Sequence, residues 1–209
     1  SLSQAWSSSN DMLRFSHEMF NDSIEALRTG EKNKVIKNIK QRDEEINQYH
    51  RYIRKKVVTY YSISKDVRNI DSGLVLINMV VDIERVGDYT KNILDLAKFY
   101  PKRLLSENIS DDLRVIEKAV VNRFDNTVTA VQQMDESIAE MLIKSYRSDL
   151  GKISDKLVAS SISGNQRLGE EHKASAMVLY ARYLKRIGAH LKNITSVVVN
   201  PFESIGYKK

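Results

Sequence analysis

The stretch DIERVGDYTKNI, residues 82–93, decides the reading of this chain, because its frame returns as LKRIGAHLKNI at residues 184–194. Arg85, Val86, Gly87, Lys91, Asn92 and Ile93 recur in register as Arg186, Ile187, Gly188, Lys192, Asn193 and Ile194. The carboxylates do not recur. Glu84 gives way to Lys185, and Asp88 to Ala189. An internal repeat over roughly half the chain implies that one structural unit was duplicated.

Outward from this stretch the apolar residues keep a helical period. Leu13, His17, Phe20, Ile24 and Leu27 step by three and four up to Gly30, which reads as a helix stop. Ile36, Ile39, Asp43, Ile46, His50, Ile53 and Val57 predict a second helix. Val67, Ile70, Leu74, Ile77, Val81, Glu84 and Asp88 predict a third, from Asp66, as its cap, to Phe99, with Pro101 closing the first half. In the second half, helices are expected over 110–144, 149–161 and 172–198, the last stopping before Asn200-Pro201. Only two prolines and eight glycines interrupt the chain, which favours long helices. The expected fold is all-α, with six long helices in two tandem antiparallel three-helix bundles. The units are residues 1–103 and 104–209, joined near 101–109 in an elongated molecule.

Composition sets the outer limits. A 42% hydrophobic fraction suffices for a packed core. No cysteine occurs, which excludes disulfides, thiolate metal sites and cysteine nucleophiles. No apolar run is long enough to span a bilayer and no signal peptide is visible at the start, so a cytoplasmic setting is expected. The net charge of +6 permits anionic partners, but the basic residues are interspersed with acids, and no nucleic-acid partner is expected.

The third and second stripes carry ionisable residues where a packed seam wants leucine. Asp43, Glu84 and Asp88 share one level if the helices turn near Gly30 and Ser62. Glu84 and Asp88 lie one helical turn apart, and Gly87 between them lets a neighbour approach. A carboxylate in a packed seam is costly unless paired or bound to metal. Oxygen-rich clusters suit hard or borderline cations: iron, zinc, manganese, magnesium or calcium. On this reading Glu84 and Asp88 are ligands with Asp43 as the third. Asn47 would add a carbonyl oxygen, and His17 or Glu18 would complete the shell. The same acids also fit salt-bridged faces with Arg42, Arg51 and Arg85. His17 and His50 fit polar positions at the core edge.

DIERVGDYTKNI, together with KDVRNI (residues 65–70) and RDEEIN (residues 42–47), resembles the PhoU family of phosphate-uptake regulators. The tandem layout and total length match as well. The resemblance implies a non-enzymatic adaptor for phosphate homeostasis, cytoplasmic and peripheral to the inner membrane. Its implied partners are a membrane phosphate transporter and a sensor histidine kinase, with a homodimer as the assembly. It also implies metal on the Glu84/Asp88 motif, with Asp43 as the counterpart acid on the second helix. Lys185 and Ala189 leave no such motif in the second half. Two alternatives stand beside it. A di-iron-type carboxylate enzyme wants Glu-x-x-His pairs, which the stripes lack. A PhoU-like domain belonging to a phosphate carrier is the other. The sequence holds no G-x-x-x-x-G-K-[ST] phosphate loop.

Overall fold

A capping box opens the first helix, α1 (Leu2–Thr29), with the Ser1 hydroxyl accepting the Gln4 amide at 3.3 Å. The helix ends at Gly30, whose φ of 71° is the left-handed conformation that only glycine takes cheaply. Its inner stripe buries Met12, Leu13, Phe20, Ile24 and Leu27. The computed structural model describes residues 1–64, 67–100, 104, 111–164 and 171–206.

The expected second helix is a rod in two pieces, α2 (Asn33–Gln41) and α3 (Asp43–Ser64), interrupted at Arg42. The third, α4 (Ile70–Phe99), starts later than the sequence suggests. Asp66, the expected cap, lies outside the described residues. Nor is its buried face the expected stripe. Leu76, Met79, Val80, Ile83, Val86, Ile93 and Leu94 are buried, while Val67 and Ile70 are exposed and Glu84 and Asp88 are half-buried. A helix of this composition offers more than one apolar line, and the neighbours decide which is used.

The second half differs from expectation at its first turn. Helix α5 (Asp111–Gln133) ends well before residue 144. Met134 takes φ 50°, and the Asp135 carboxylate accepts the Ile138 amide at 2.9 Å, which starts α6 (Glu136–Tyr146). Asp135 offers the backbone a cap in place of continued helix, and that local bond ends α5. A π-helical turn, Arg147–Gly151, then carries α6 into α7 (Lys152–Ile162) without a break in the rod. The helix expected at 149–161 is therefore the far end of a longer rod. Helix α8 (Glu171–Ser196) follows, and a 3-10 turn at Phe202–Ser204 lies near the end. No strand occurs among the described residues.

Each half thus contributes three rods. Within the first, α1, α3 and α4 pack on one another; within the second, α5, the α6–α7 rod and α8 do. Rather than extending end to end, the halves lie side by side. α4 packs on α8 about as extensively as on α1, and α1 also touches α5. Helices α1, α4, α8 and α5 therefore close a four-helix ring, with the interrupted rods α2–α3 and α6–α7 flanking it. The all-α architecture of long antiparallel helices agrees with expectation. The expected boundary at residues 103 and 104 adjoins residues outside those described.

If Asp135 ends α5 by capping α6, Asp135→Ala should cost about 1 kcal/mol, while Asp135→Asn stays close to the parent. The urea midpoint should fall at unchanged m-value. Equal midpoints for both variants would remove this account of the turn.

Candidate functional site

Helix α4 presents Glu84, Gly87, Asp88 and Lys91 on one face, at the spacing of successive helical turns. Opposite lies the start of α3, whose first residue, Asp43, follows the Arg42 interruption. Asp43, Asn47 and His50 share the facing side of α3 by the same spacing. An acid in the first turn of a helix is favoured by the amide dipoles. Arg42 itself turns away to bond Asp22 of α1.

Gly87 brings the two helices close. A β-carbon there would stand 3.1 Å from Asp43 Oδ1 and 3.2 Å from Ile46 Cδ1, tighter than ordinary contact. Asp43 is consequently buried, with 7% of its surface exposed. Such a carboxylate needs a counter-charge, and Lys91 supplies it. Lys91 Nζ lies 2.7 Å from Asp43 Oδ2 and 2.9 Å from Asp88 Oδ1. Asn47 Nδ2 donates to Asp43 Oδ2 at 3.0 Å, so its amide contributes a donor rather than a carbonyl. Arg85 Nη1 donates to Asp88 Oδ2 at 3.1 Å, and its Nε lies 3.7 Å from Glu84 Oε2. Asp43 Oδ1 is buried and finds no hydrogen-bond partner among the described residues.

The protonation states follow from this geometry. Burial pulls the Lys91 ammonium down, but hydrogen bonds and charges from Asp43 and Asp88 outweigh it and hold the amine above its ordinary value. Burial, then the neighbouring Asp88 and Asp43 charges, push Glu84 up against the pull of Arg85 and Lys91. Burial also lowers His50, with the charges of Arg54, Arg51 and Arg85 adding to it. Its Nε2 is buried without a hydrogen-bond partner among the described residues.

The three expected ligands are therefore brought to one place, but they are organised around an ammonium. Among the described residues no three His, Asp or Glu side chains are grouped to hold a metal ion. As held here, the donor set fits Lys91, and a metal at Asp43 and Asp88 would require that amine to move. The other expected ligands point elsewhere. His17 Nε2 lies 2.7 Å from Asp125 Oδ1 of α5 and its ring sits 4.7 Å from Phe124, so it serves the contact between halves. Glu18 is exposed. Of the arginines considered as partners, Arg85 joins the cluster, while Arg51 bonds Glu44 at 2.9 Å.

Sequence reasoning missed Lys91. The signal was present, since Lys91 stands three residues after Asp88, where side chains on a helix meet. It also missed Asp82, whose Oδ1 lies 2.7 Å from His190 Nδ1 and accepts from Asn193 Nδ2 at 3.1 Å across the α4–α8 contact. Beside the cluster, a cavity of about 350 Å³ is lined by Arg85, Asp88, Tyr89, Lys91 and Asn92. A larger one, about 560 Å³, lies along α5 and the α6–π rod, where Lys118, Asn122 and the buried Arg123 meet Asp149. Burial lowers Arg123, with Asp149 opposing it.

The PhoU domain family model matches residues 10–97, a span that holds Asp43, Glu84, Asp88 and Lys91. No curated protein matches the chain. Among solved structures, PhoU from Pseudomonas aeruginosa superposes with a TM-score of 0.77 at 19% identity, covering 95% of each chain. The phosphate transport system regulatory protein PhoU from Streptococcus pneumoniae gives 0.78 at 17% identity, covering 95% of this chain and 93% of that one. At these identities the likeness is one of fold. It extends over both halves.

The depressed His50 carries a pH signature. Its folded value lies below the ordinary 6.5, so the unfolded chain takes up the proton first as pH falls. Stability is then lost on acidification below about 6.5. His50→Gln lacks this loss, so the parent's urea midpoint should fall relative to the variant's between neutral pH and mild acid. Parallel profiles would show that His50 titrates as in the unfolded chain.

Proposed function

We propose that this chain, whose residues 10–97 match the PhoU domain family model, is a non-enzymatic regulator of inorganic phosphate uptake and of phosphate-starvation signalling. One observation carries the reading. The domain match and the fold shared with two PhoU structures together span nearly the whole chain, with the acid-bearing stretch inside the matched segment. On this reading the protein works by contact, with a membrane phosphate transporter on one side and a sensor histidine kinase on the other. No helix among the described residues is long and apolar enough to cross a membrane, so the bilayer is reached through the partner. Residues 1–103 and 104–209 act as two units derived from one, cytoplasmic and peripheral to the inner membrane, and a homodimer is the assembly we propose. A metal ion on Glu84, Asp88 and Asp43 belongs to the proposal only with Lys91 displaced.

Deletion of the gene should release a phosphate-starvation reporter from repression in phosphate-rich medium, and the intact chain should restore repression. Affinity capture from phosphate-replete cells should retain the transporter. A reporter that stays repressed without the gene, with neither transporter nor kinase captured, would remove the regulator reading. So would saturable, metal-independent phosphate-ester hydrolysis by the pure protein that Glu84→Gln abolishes.

A further inference from the structure

We infer that Lys91 is a resident cation that closes the Asp43–Asp88 carboxylate pair to divalent metal ions, by its charge and by the place its ammonium takes between them. The inference concerns the purified chain and holds whichever partner the protein contacts. Three observations on independent side chains support it.

First, the ammonium occupies the point from which a metal would bridge the two helices. Its contacts to Asp43 Oδ2 on α3 and Asp88 Oδ1 on α4 measure 2.7 and 2.9 Å. A divalent ion between the same oxygens would sit a few tenths of an ångström closer to each, at about 2.0–2.6 Å. Ammonium and metal therefore exclude one another by volume and by charge. Second, Asp43 Oδ1 is a buried carboxylate oxygen with no hydrogen-bond partner among the described residues. One lysine and one asparagine amide satisfy only Oδ2. The cluster thus holds more acceptor capacity than its resident cation uses. Third, Gly87 leaves no side chain between α4 and that oxygen. Glu84 adds a third carboxylate on the same face, held only loosely at 3.7 Å by Arg85. The acids are brought to one face of the α3–α4 contact, and the ammonium of residue 91 takes the place between Asp43 and Asp88 that an ion would need.

The corresponding face of the second half gives the control. Lys192 stands where Lys91 does and lies 5.4 Å over the Tyr146 ring. Lys185 in the position of Glu84 bonds Asp155 at 2.5 Å. Lys185 and Ala189 stand in the places of Glu84 and Asp88, so the acids of α4 have no copy on α8.

Calorimetric titration of metal-stripped protein with Mn²⁺, and separately with Zn²⁺, tests the inference, alongside thermal unfolding with and without the ion. Lys91→Met should gain a saturable single site at least roughly tenfold tighter than the parent, with a melting temperature that rises with added metal. Adding Asp88→Asn to Lys91→Met should abolish the gain. Lys91→Arg should stay closed, and Lys192→Met should gain nothing. Should Lys91→Met fail to fold, Lys91→Gln keeps a polar side chain of similar length without charge and must show the same gain. Equal affinity in parent and Lys91→Met would overturn the inference. So would a folded Lys91→Met or Lys91→Gln that binds neither ion, or a Lys91→Arg variant that gains the site.

Discussion

One close approach recurs at the same level of both halves, where the flanking rod presses onto a glycine in the long inner helix. At Gly87 the neighbour is Asp43 and Ile46, and at Gly188 it is Leu150, whose side chain a β-carbon would strike. In both halves the rod is interrupted at that level. The first breaks at Arg42 between α2 and α3, and the second runs through the π-turn Arg147–Gly151. Interruptions of a helical ladder release carbonyls and re-aim side chains. Arg123 answers this in the second half by donating to the Leu142 carbonyl and, at 3.0 Å, to the Ser145 hydroxyl. The helix-to-helix distance at the glycine is thus matched to a deformation in its partner.

That constraint explains what was kept on duplication and what was exchanged. On α4 the face toward the flanking rod is Glu84, Gly87 and Lys91, and on α8 it is Lys185, Gly188 and Lys192. Glycine is required by the approach, so it recurs. Ile93 and Ile194 are both buried in the ring and recur for packing. The charged positions are bound only by the need for a complement across the gap. In the first half the acids on α3 and α4 surround Lys91. In the second, Lys185 reaches Asp155 and Lys192 lies over Tyr146, whose hydroxyl burial pushes up toward the neutral form. The two solutions differ at one position, an acid on α4 in the first half and a base on α8 bonded to Asp155 in the second.

Much of this was legible in the sequence. Gly30 as a stop, the breaker-poor composition and the recurrent frame gave the long antiparallel helices. The repeat of Gly87 at Gly188 marked the close approaches before any neighbour was known. Asp43, Glu84 and Asp88 were placed at one level by spacing alone. What the pattern hid has physical causes. The stripe through Leu74, Ile77 and Val81 has a valid helical period but is only half-buried, because α4 is apolar on several sides and α8 claims another of them. The turn at Met134 carries no glycine or proline, and only the Asp135 cap marks it. Lys91 stands in the sequence only as a member of the recurrent frame, since nothing in one sequence tells whether a lysine snorkels to water or turns inward to a buried acid.

The contact between halves was also illegible, and its chemistry shows why. The ring is closed by polar links of mixed direction: Asp82 of α4 to His190 and Asn193 of α8, but His17 of α1 to Asp125 of α5. Arg28 of α1 meets Glu117 of α5 at 2.7 Å, and the buried Tyr180 of α8 donates to the same carboxylate at 2.6 Å. Burial, with Glu117 beside it, raises that phenol far above its ordinary range, so it acts as a fixed donor. None of these links is a copy of another. The position matching His17 in the second half is Lys118, and the one matching His190 in the first is Tyr89, which stacks on His190 at 5.9 Å. A buried polar group without its partner is expensive, so the links of Asp82 to His190 and of Tyr180 to Glu117 penalise any sliding of one half along the other. Glycines copied within each half set how its own rods approach. Unlike residues facing one another across the ring set the register between halves, and only the first kind leaves a repeat that a single sequence can display.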